Sequence, residues 1–222
     1  MKSVVSLSGG MDSGTALGWA KENYEEVLAV GFLYGSKHNP YEQECAQKLS
    51  EYFNVEFIRV DLTPVGKFLQ SNLLKTGGSI PEGHYESESM KQTVVPGRNI
   101  IFTSILAGIA ESRGFNSVVL GIHSGDHTIY PDCRPEFFDA MNYAVMHSSE
   151  EKVFLKAPFL RGNKTSILEY GYYFLKKEFP YHLTRTCYKD QELACGKCGA
   201  CQERLEAFKN IGRTDPIKYE EE

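Results

Sequence analysis

The sequence predicts an α/β protein: a doubly wound parallel sheet with a small C-terminal zinc-binding extension. Three observations carry this. Apolar runs of strand length alternate with helix-period segments, the runs are continuously apolar rather than alternating, and four of six cysteines crowd into one short stretch near the end of the 222-residue chain. The apolar runs place strands at 4–7, 27–34, 57–60, 118–122 and 153–159. Between them the helical period marks 13–23, 41–53, 64–74, 99–113 and 135–146. Continuously apolar strands joined by crossover helices bury both faces of a parallel sheet, and ligands then lie beyond the carboxyl ends of the strands. Residues 76–92, rich in Gly, Glu and Ser and without a period, are long for a connection and read as a lid or a surface loop. The length suits one nucleotide-binding domain over 1–180, followed by a metal-binding segment over 181–222.

The first strand runs into Ser8-Gly9-Gly10-Met11-Asp12-Ser13 and then a helix. Gly9 and Gly10 carry no side chain to block an anion, Ser8 and Ser13 add hydroxyl donors, and the helix start aims unpaired N–H groups at the same point. This is a phosphate cradle. It lacks the longer glycine spacing and the Lys of a Walker A loop. Asp12 is a candidate either for holding Mg²⁺ or for capping the helix.

With 24 basic and 29 acidic residues the formal net charge is -5, and no dense Lys/Arg run is present, so the chain does not read as a nucleic-acid binder. A small-molecule substrate is expected. The longest apolar stretch, 100–110, is too short to span a bilayer, so no membrane partner is expected and a cytoplasmic location is.

Cys187, Cys195, Cys198 and Cys201 follow a C-x7-C-x2-C-x2-C spacing, with Gly196 and Gly199 permitting tight turns. Four close thiolates suit a structural zinc, followed by an Fe–S cluster and then a redox pair as rivals. A helix over 202–210 would be pinned to the domain by that metal.

Two further segments read as ligand loops. In Val95-Pro96-Gly97-Arg98-Asn99 a turn feeds a helix that Asn99 can cap, and Arg98 stands where a phosphate or carboxylate could be paired. In residues 123–134 a carboxylate such as Asp126 or Asp132 suits the N–H donors of a guanine-like base, Tyr130 could stack on it, and Arg134 could hold a substrate carboxylate. His123 and His127 make only a weak metal motif, and Cys133 reads as a packed thiol.

Together, SGGMDS, VPGRN, YPDCR (130–134) and the tail beginning Thr186-Cys187-Tyr188 resemble the 7-cyano-7-deazaguanine synthases of the queuosine pathway, over nearly the whole chain. These belong to the PP-loop ATP pyrophosphatase superfamily, with its adenine nucleotide α-hydrolase-like fold. The resemblance implies ATP and Mg²⁺ as cofactors, beside Zn²⁺, and a homodimer. It implies nucleotide contacts at Leu7, Ser8, Gly9, Gly10, Met11, Asp12, Ser13 and Tyr34, and catalytic roles for Asp12, Arg98 and Lys164. It places the deazaguanine acid against Arg98, Asn99, Asp126, Tyr130, Asp132 and Arg134. The implied reaction adenylates 7-carboxy-7-deazaguanine, forms an amide with ammonia, and repeats adenylation to give the nitrile. Met11, the Gly35-Ser36-Lys37-His38 turn and Thr128-Ile129 depart from the commoner family pattern. That leaves open a paralogue that stops at the amide or joins the activated base to a protein amine. A tRNA-modifying PP-loop enzyme and a non-enzymatic nucleotide sensor are more distant alternatives.

Overall fold

The structure, a computed structural model, describes residues 1–125, 130–148, 150 and 152–220. Five parallel strands, β1 (Lys2–Ser6), β2 (Glu26–Leu33), β3 (Glu56–Asp61), β4 (Ser117–Val119) and β5 (Phe154–Lys156), lie in the order β3-β2-β1-β4-β5. Val4, Val5 and nearly all of β2 are buried because helices cover both faces. On one face α1 (Met11–Asn23) and α2 (Asn39–Tyr52) close a core around Leu17, Ala46 and Leu49. On the other, α4 (Arg98–Ser112) and α5 (Pro135–Met146) close a core around Leu28, Val30 and Leu106. The order of strands reverses between β1 and β4, so a crevice opens at their carboxyl ends.

Two expectations about elements are corrected. The helix expected over 64–74 is a single turn, α3 (Thr63–Gly66). Beyond it the backbone pairs with the segment after β2 instead: the Lys75 N–H donates to the Gly35 carbonyl and the Lys37 N–H to that of Leu73, which buries Leu73 and Leu74 together. Asn99 does not cap α4. The N-cap is Gly97, in the left-handed region at φ 66°, and the Asn99 N–H donates to the Asp132 carboxylate at 3.2 Å. The stretch Glu88–Ser112 has the length and composition of a membrane span, but its α-helical part, α4, packs against β1 and β4.

After β5 come α6 (Lys164–Glu169), opened by an Asn163–Ser166 capping box, and a π-helical turn, Tyr170–Phe174. The final helix, α7 (Gly199–Asn210), starts earlier than the expected 202 and packs on α6. Its anchor is Arg204. That guanidinium is fully buried, takes both Asp215 oxygens at 2.7 and 2.9 Å, and donates to Thr184 Oγ1 and the Tyr181 carbonyl. Removing one partner of such a pair leaves a buried charge uncompensated. Arg204→Met should therefore cost about 3–5 kcal/mol, read as a lower urea midpoint with little change in slope. A midpoint within error of the parent would refute this.

Candidate active site

The loop after β1 folds into a nest because its glycines allow it. Gly9 sits at φ 94°, and a Cβ there would lie 2.1 Å from the Glu42 carbonyl oxygen, so α2 can approach the loop only against glycine. Ser8 Oγ and Ser13 Oγ are 2.9 Å apart, and the Gly10 N–H donates to Ser8 Oγ. The Gly9 carbonyl accepts from the Arg185 N–H, which ties the loop to the start of the tail. Gly121, just past β4, touches the start of α1, since a Cβ there would stand 2.6 Å from Ser13 Cα. Leu7 and Met11 are buried beneath the loop.

Above these strand ends lies a cleft of about 250 Å³. At one end Asp12 Oδ2 is 2.7 Å from Lys164 Nζ, and Glu203 Oε2 is 3.5 Å from the same nitrogen. His123 Nε2 stands 3.9 Å from both carboxylates. Burial works against the Lys164 charge, but Asp12 and Glu203 outweigh it and hold the ammonium above the usual lysine range. Asp12 Oδ1 is buried and has no hydrogen-bond partner. An orphaned carboxylate oxygen beside an anion nest fits a hard divalent cation such as Mg²⁺.

At the other end of the cleft are Tyr34, His38, Glu42, Arg98, Tyr130 and Tyr188. His38 Nε2 is 3.3 Å from Glu42 Oε2 and 3.3 Å from the Tyr34 hydroxyl. Burial pushes the Glu42 carboxyl up to about 8, against the pull of Arg98 and Arg185, and drives His38 down to about 3. Near neutrality both are thus uncharged. The Tyr130 hydroxyl lies 2.8 Å from Thr93 Oγ1 and 3.4 Å from the Tyr188 hydroxyl. Burial, reinforced by Asp132, pushes the Cys133 thiol up to about 11, which leaves it protonated.

The loop residues 8 and 10–13, Leu7, Tyr34, Arg98, Asn99, Tyr130 and Lys164 all line the cleft. Asp132 and Arg134 do not: Asp132 is engaged by Asn99, and Arg134 stands at the N-cap of α5. Asp126, with residues 127–129, lies outside the described residues. Sequence reasoning missed Glu203, His38 and Glu42. The His38–Glu42 spacing of four, from the N-cap of α2 into its first turn, was a usable signal; Glu203 had none, because only the packing of α7 brings it to the cleft.

Beside the cleft, the sulfurs of Cys187, Cys195, Cys198 and Cys201 all lie within 4.8 Å of one another, and all four residues are buried. N–H groups of Cys195, Lys197 and Cys198 point at the sulfurs of Cys187 and Cys195. Tetrahedral Zn–S bonds of about 2.3 Å need sulfurs only slightly closer, so the cluster fits zinc with no open position.

A family model described as queuosine biosynthesis protein QueC matches residues 2–212. The chain is 48% identical over 219 residues to the 7-cyano-7-deazaguanine synthase 1 of Colwellia psychrerythraea, covering 99% of each chain. It is 46% identical to the 7-cyano-7-deazaguanine synthase of Caldicellulosiruptor saccharolyticus, covering 99% of this chain and 96% of that one. Among solved structures, an NMN synthetase from Francisella tularensis aligns over 96% of this chain and 72% of its own, at 16% identity and a TM-score of 0.47.

Proposed function

The chain belongs to the QueC family of queuosine biosynthesis proteins, and from that premise we propose that it converts 7-carboxy-7-deazaguanine, ATP and ammonia into 7-cyano-7-deazaguanine, AMP and pyrophosphate. The observation that carries this reading is one cleft that joins an anion nest, flanked by Lys164 and Asp12, to a compartment holding Arg98 and Glu42.

In the first half-reaction a carboxylate oxygen of the acid attacks the α-phosphorus of ATP, the bond from that phosphorus to the bridging oxygen breaks, and pyrophosphate leaves. Ammonia then adds to the acyl carbon, AMP departs with the transferred oxygen, and a proton passes to solvent. The amide oxygen repeats the attack on a second ATP; loss of AMP and two protons leaves the nitrile. Through both rounds the N–H groups of the nest and the Lys164 ammonium face the charge that develops on the phosphates, in a geometry set before the substrate arrives. Asp12 and Glu203 keep Lys164 charged and pointed. Asp12 would hold Mg²⁺, which would neutralise the departing pyrophosphate. The four cysteines would hold zinc as a structural metal beside α7, the helix that delivers Glu203.

The direct test is incubation with ATP, Mg²⁺, ammonium and 7-carboxy-7-deazaguanine, followed by mass analysis of all products. The expected outcome is the nitrile with two AMP per turnover. Accumulated amide as the end product, or a base-sized mass increase on a protein, would overturn it.

A further inference from the structure

The connection over 76–92, expected as a lid or a surface loop, is docked on the cysteine segment. Glu82 forms an antiparallel bridge with Cys198, the Gly83 N–H donates to the Lys197 carbonyl at 2.9 Å, and Glu82 Oε1 lies 2.5 Å from Lys189 Nζ. Ile80 packs on the four cysteines. Gly199, the first residue of α7, receives the next part of the strap: a Cβ there would stand 2.8 Å from Met90 Sδ and 3.2 Å from Tyr85 Cα. Met90 is buried in that seat. The strap ends in a single 3₁₀ turn, Glu88–Thr93, whose last residue is fully buried and is not among those that line the cleft.

Thr93 nevertheless reaches a residue that does line it. Its Oγ1 is 2.7 Å from the Met90 carbonyl, which can only accept, so the single proton of the Thr93 hydroxyl is committed there. The Tyr130 hydroxyl, 2.8 Å from the same Oγ1, then donates to it, and the Tyr188 hydroxyl, 3.4 Å from that of Tyr130, donates to Tyr130 in turn. Tyr188 directly follows Cys187 and packs against the cysteine cluster. The Tyr130 hydroxyl is therefore held from two sides, and both arms start at the cysteine segment.

We propose that Thr93 is a positioning residue for substrate: the strap over 80–93, seated on the cysteine segment, holds Thr93 where it fixes the Tyr130 ring, with Tyr188 as the second hold. This rests on the function proposed above, which brings the deazaguanine acid to that end of the cleft. A tyrosine ring on a loop turns about two side-chain bonds, and anchoring its hydroxyl sets both before a ligand arrives. A fused aromatic base then meets a fixed flat face, and binding carries less of the cost of ordering that side chain. The effect falls on affinity for the acid and not on the chemistry at phosphorus, because Lys164 and Asp12 stand at the other end of the cleft.

The test is calorimetric titration of the zinc-loaded full chain with 7-carboxy-7-deazaguanine and, separately, with ATP and Mg²⁺. Thr93→Val should weaken the acid about 3–10-fold and leave ATP within a factor of about two, whereas Thr93→Ser, which keeps the hydroxyl, should match the parent for both. Tyr130→Phe removes the other end of the same hydrogen bond and should cost the acid a similar factor. Combined with Thr93→Val it should cost no more than either change alone. Met90→Ala, which loosens the strap at Gly199 outside the cleft, should reproduce the selective loss. Additive losses in the double variant, an unchanged acid affinity in Thr93→Val or Met90→Ala, or equal losses for acid and ATP would overturn the positioning role. A parent chain that binds ATP but not the acid would instead overturn the function reading itself.

Discussion

Lys164→Met should lower the rate of AMP formation about 10²–10³-fold while leaving a folded protein. The side chain is 6% exposed, and its nitrogen lies 2.7 Å from Asp12 and 3.5 Å from Glu203 beside the loop after β1. A positive group fixed there before reaction stabilises charge at phosphorus without reorganisation, and losing one such donor typically costs two to three orders of magnitude. Met keeps the length and apolar stem but leaves Asp12 and Glu203 without their counter-charge, so the melting temperature should fall as well and the rate is read on the folded molecules. The loss should appear mainly in kcat, since the backbone N–H groups still bind the ground-state phosphates. Single-turnover AMP release, with the melting temperature as a control on folding, provides the check. A rate within a few-fold of the parent would remove Lys164 from the chemistry.

Cys198→Ser should reduce zinc below one per chain and destabilise the protein far more than it changes the chemistry of molecules that remain folded. Cys198 is 0% exposed and is the N-cap of α7. Structural zinc sites of four cysteines contribute on the order of 10 kcal/mol of apparent binding free energy, which in such sites is folding free energy. The same helix carries Glu203 to the cleft and Arg204 to its buried pair with Asp215, so loosening its start disturbs both. Elemental analysis with thermal unfolding, with and without a chelator, tests this. Iron with acid-labile sulfide in the purified protein would replace zinc by a cluster, and a melting temperature indifferent to the substitution would deny the metal its structural role.

The sheet was legible in the sequence because both faces are covered: β2 carries an unbroken apolar run from Val27 to Leu33, and β1 is centred on the buried pair Val4 and Val5. The nest was legible because its chemistry is local, with two glycines and two serines doing their work within six residues. The four-cysteine cluster was legible for the same reason, since its sulfurs are close in sequence as well as in space. The segment after α3 misled because residues 64–74 carry a helix-compatible spacing in the sequence, whereas Leu73 and Lys75 take their backbone partners at Lys37 and Gly35, 36 and 40 positions away. Asp132 was not legible in the same way: a carboxylate in a ligand-rich loop invites a recognition role, and only the structure shows that the start of α4 engages it.

By itself, then, the sequence determined the parallel α/β frame, the glycine- and serine-built loop at the end of β1 and the four-sulfur cluster, all of which depend on periodicity or on residues near one another along the chain. Only the tertiary structure decided that Glu203, carried on the helix that follows the sulfur cluster, stands beside Lys164 and Asp12, and that Glu42 rather than Asp132 faces the cleft. The reason is physical. Asp12 and Glu203 are 191 positions apart in the chain, and what places them around one ammonium is the packing of α7 on α6, anchored by a buried arginine whose partners no local pattern announces.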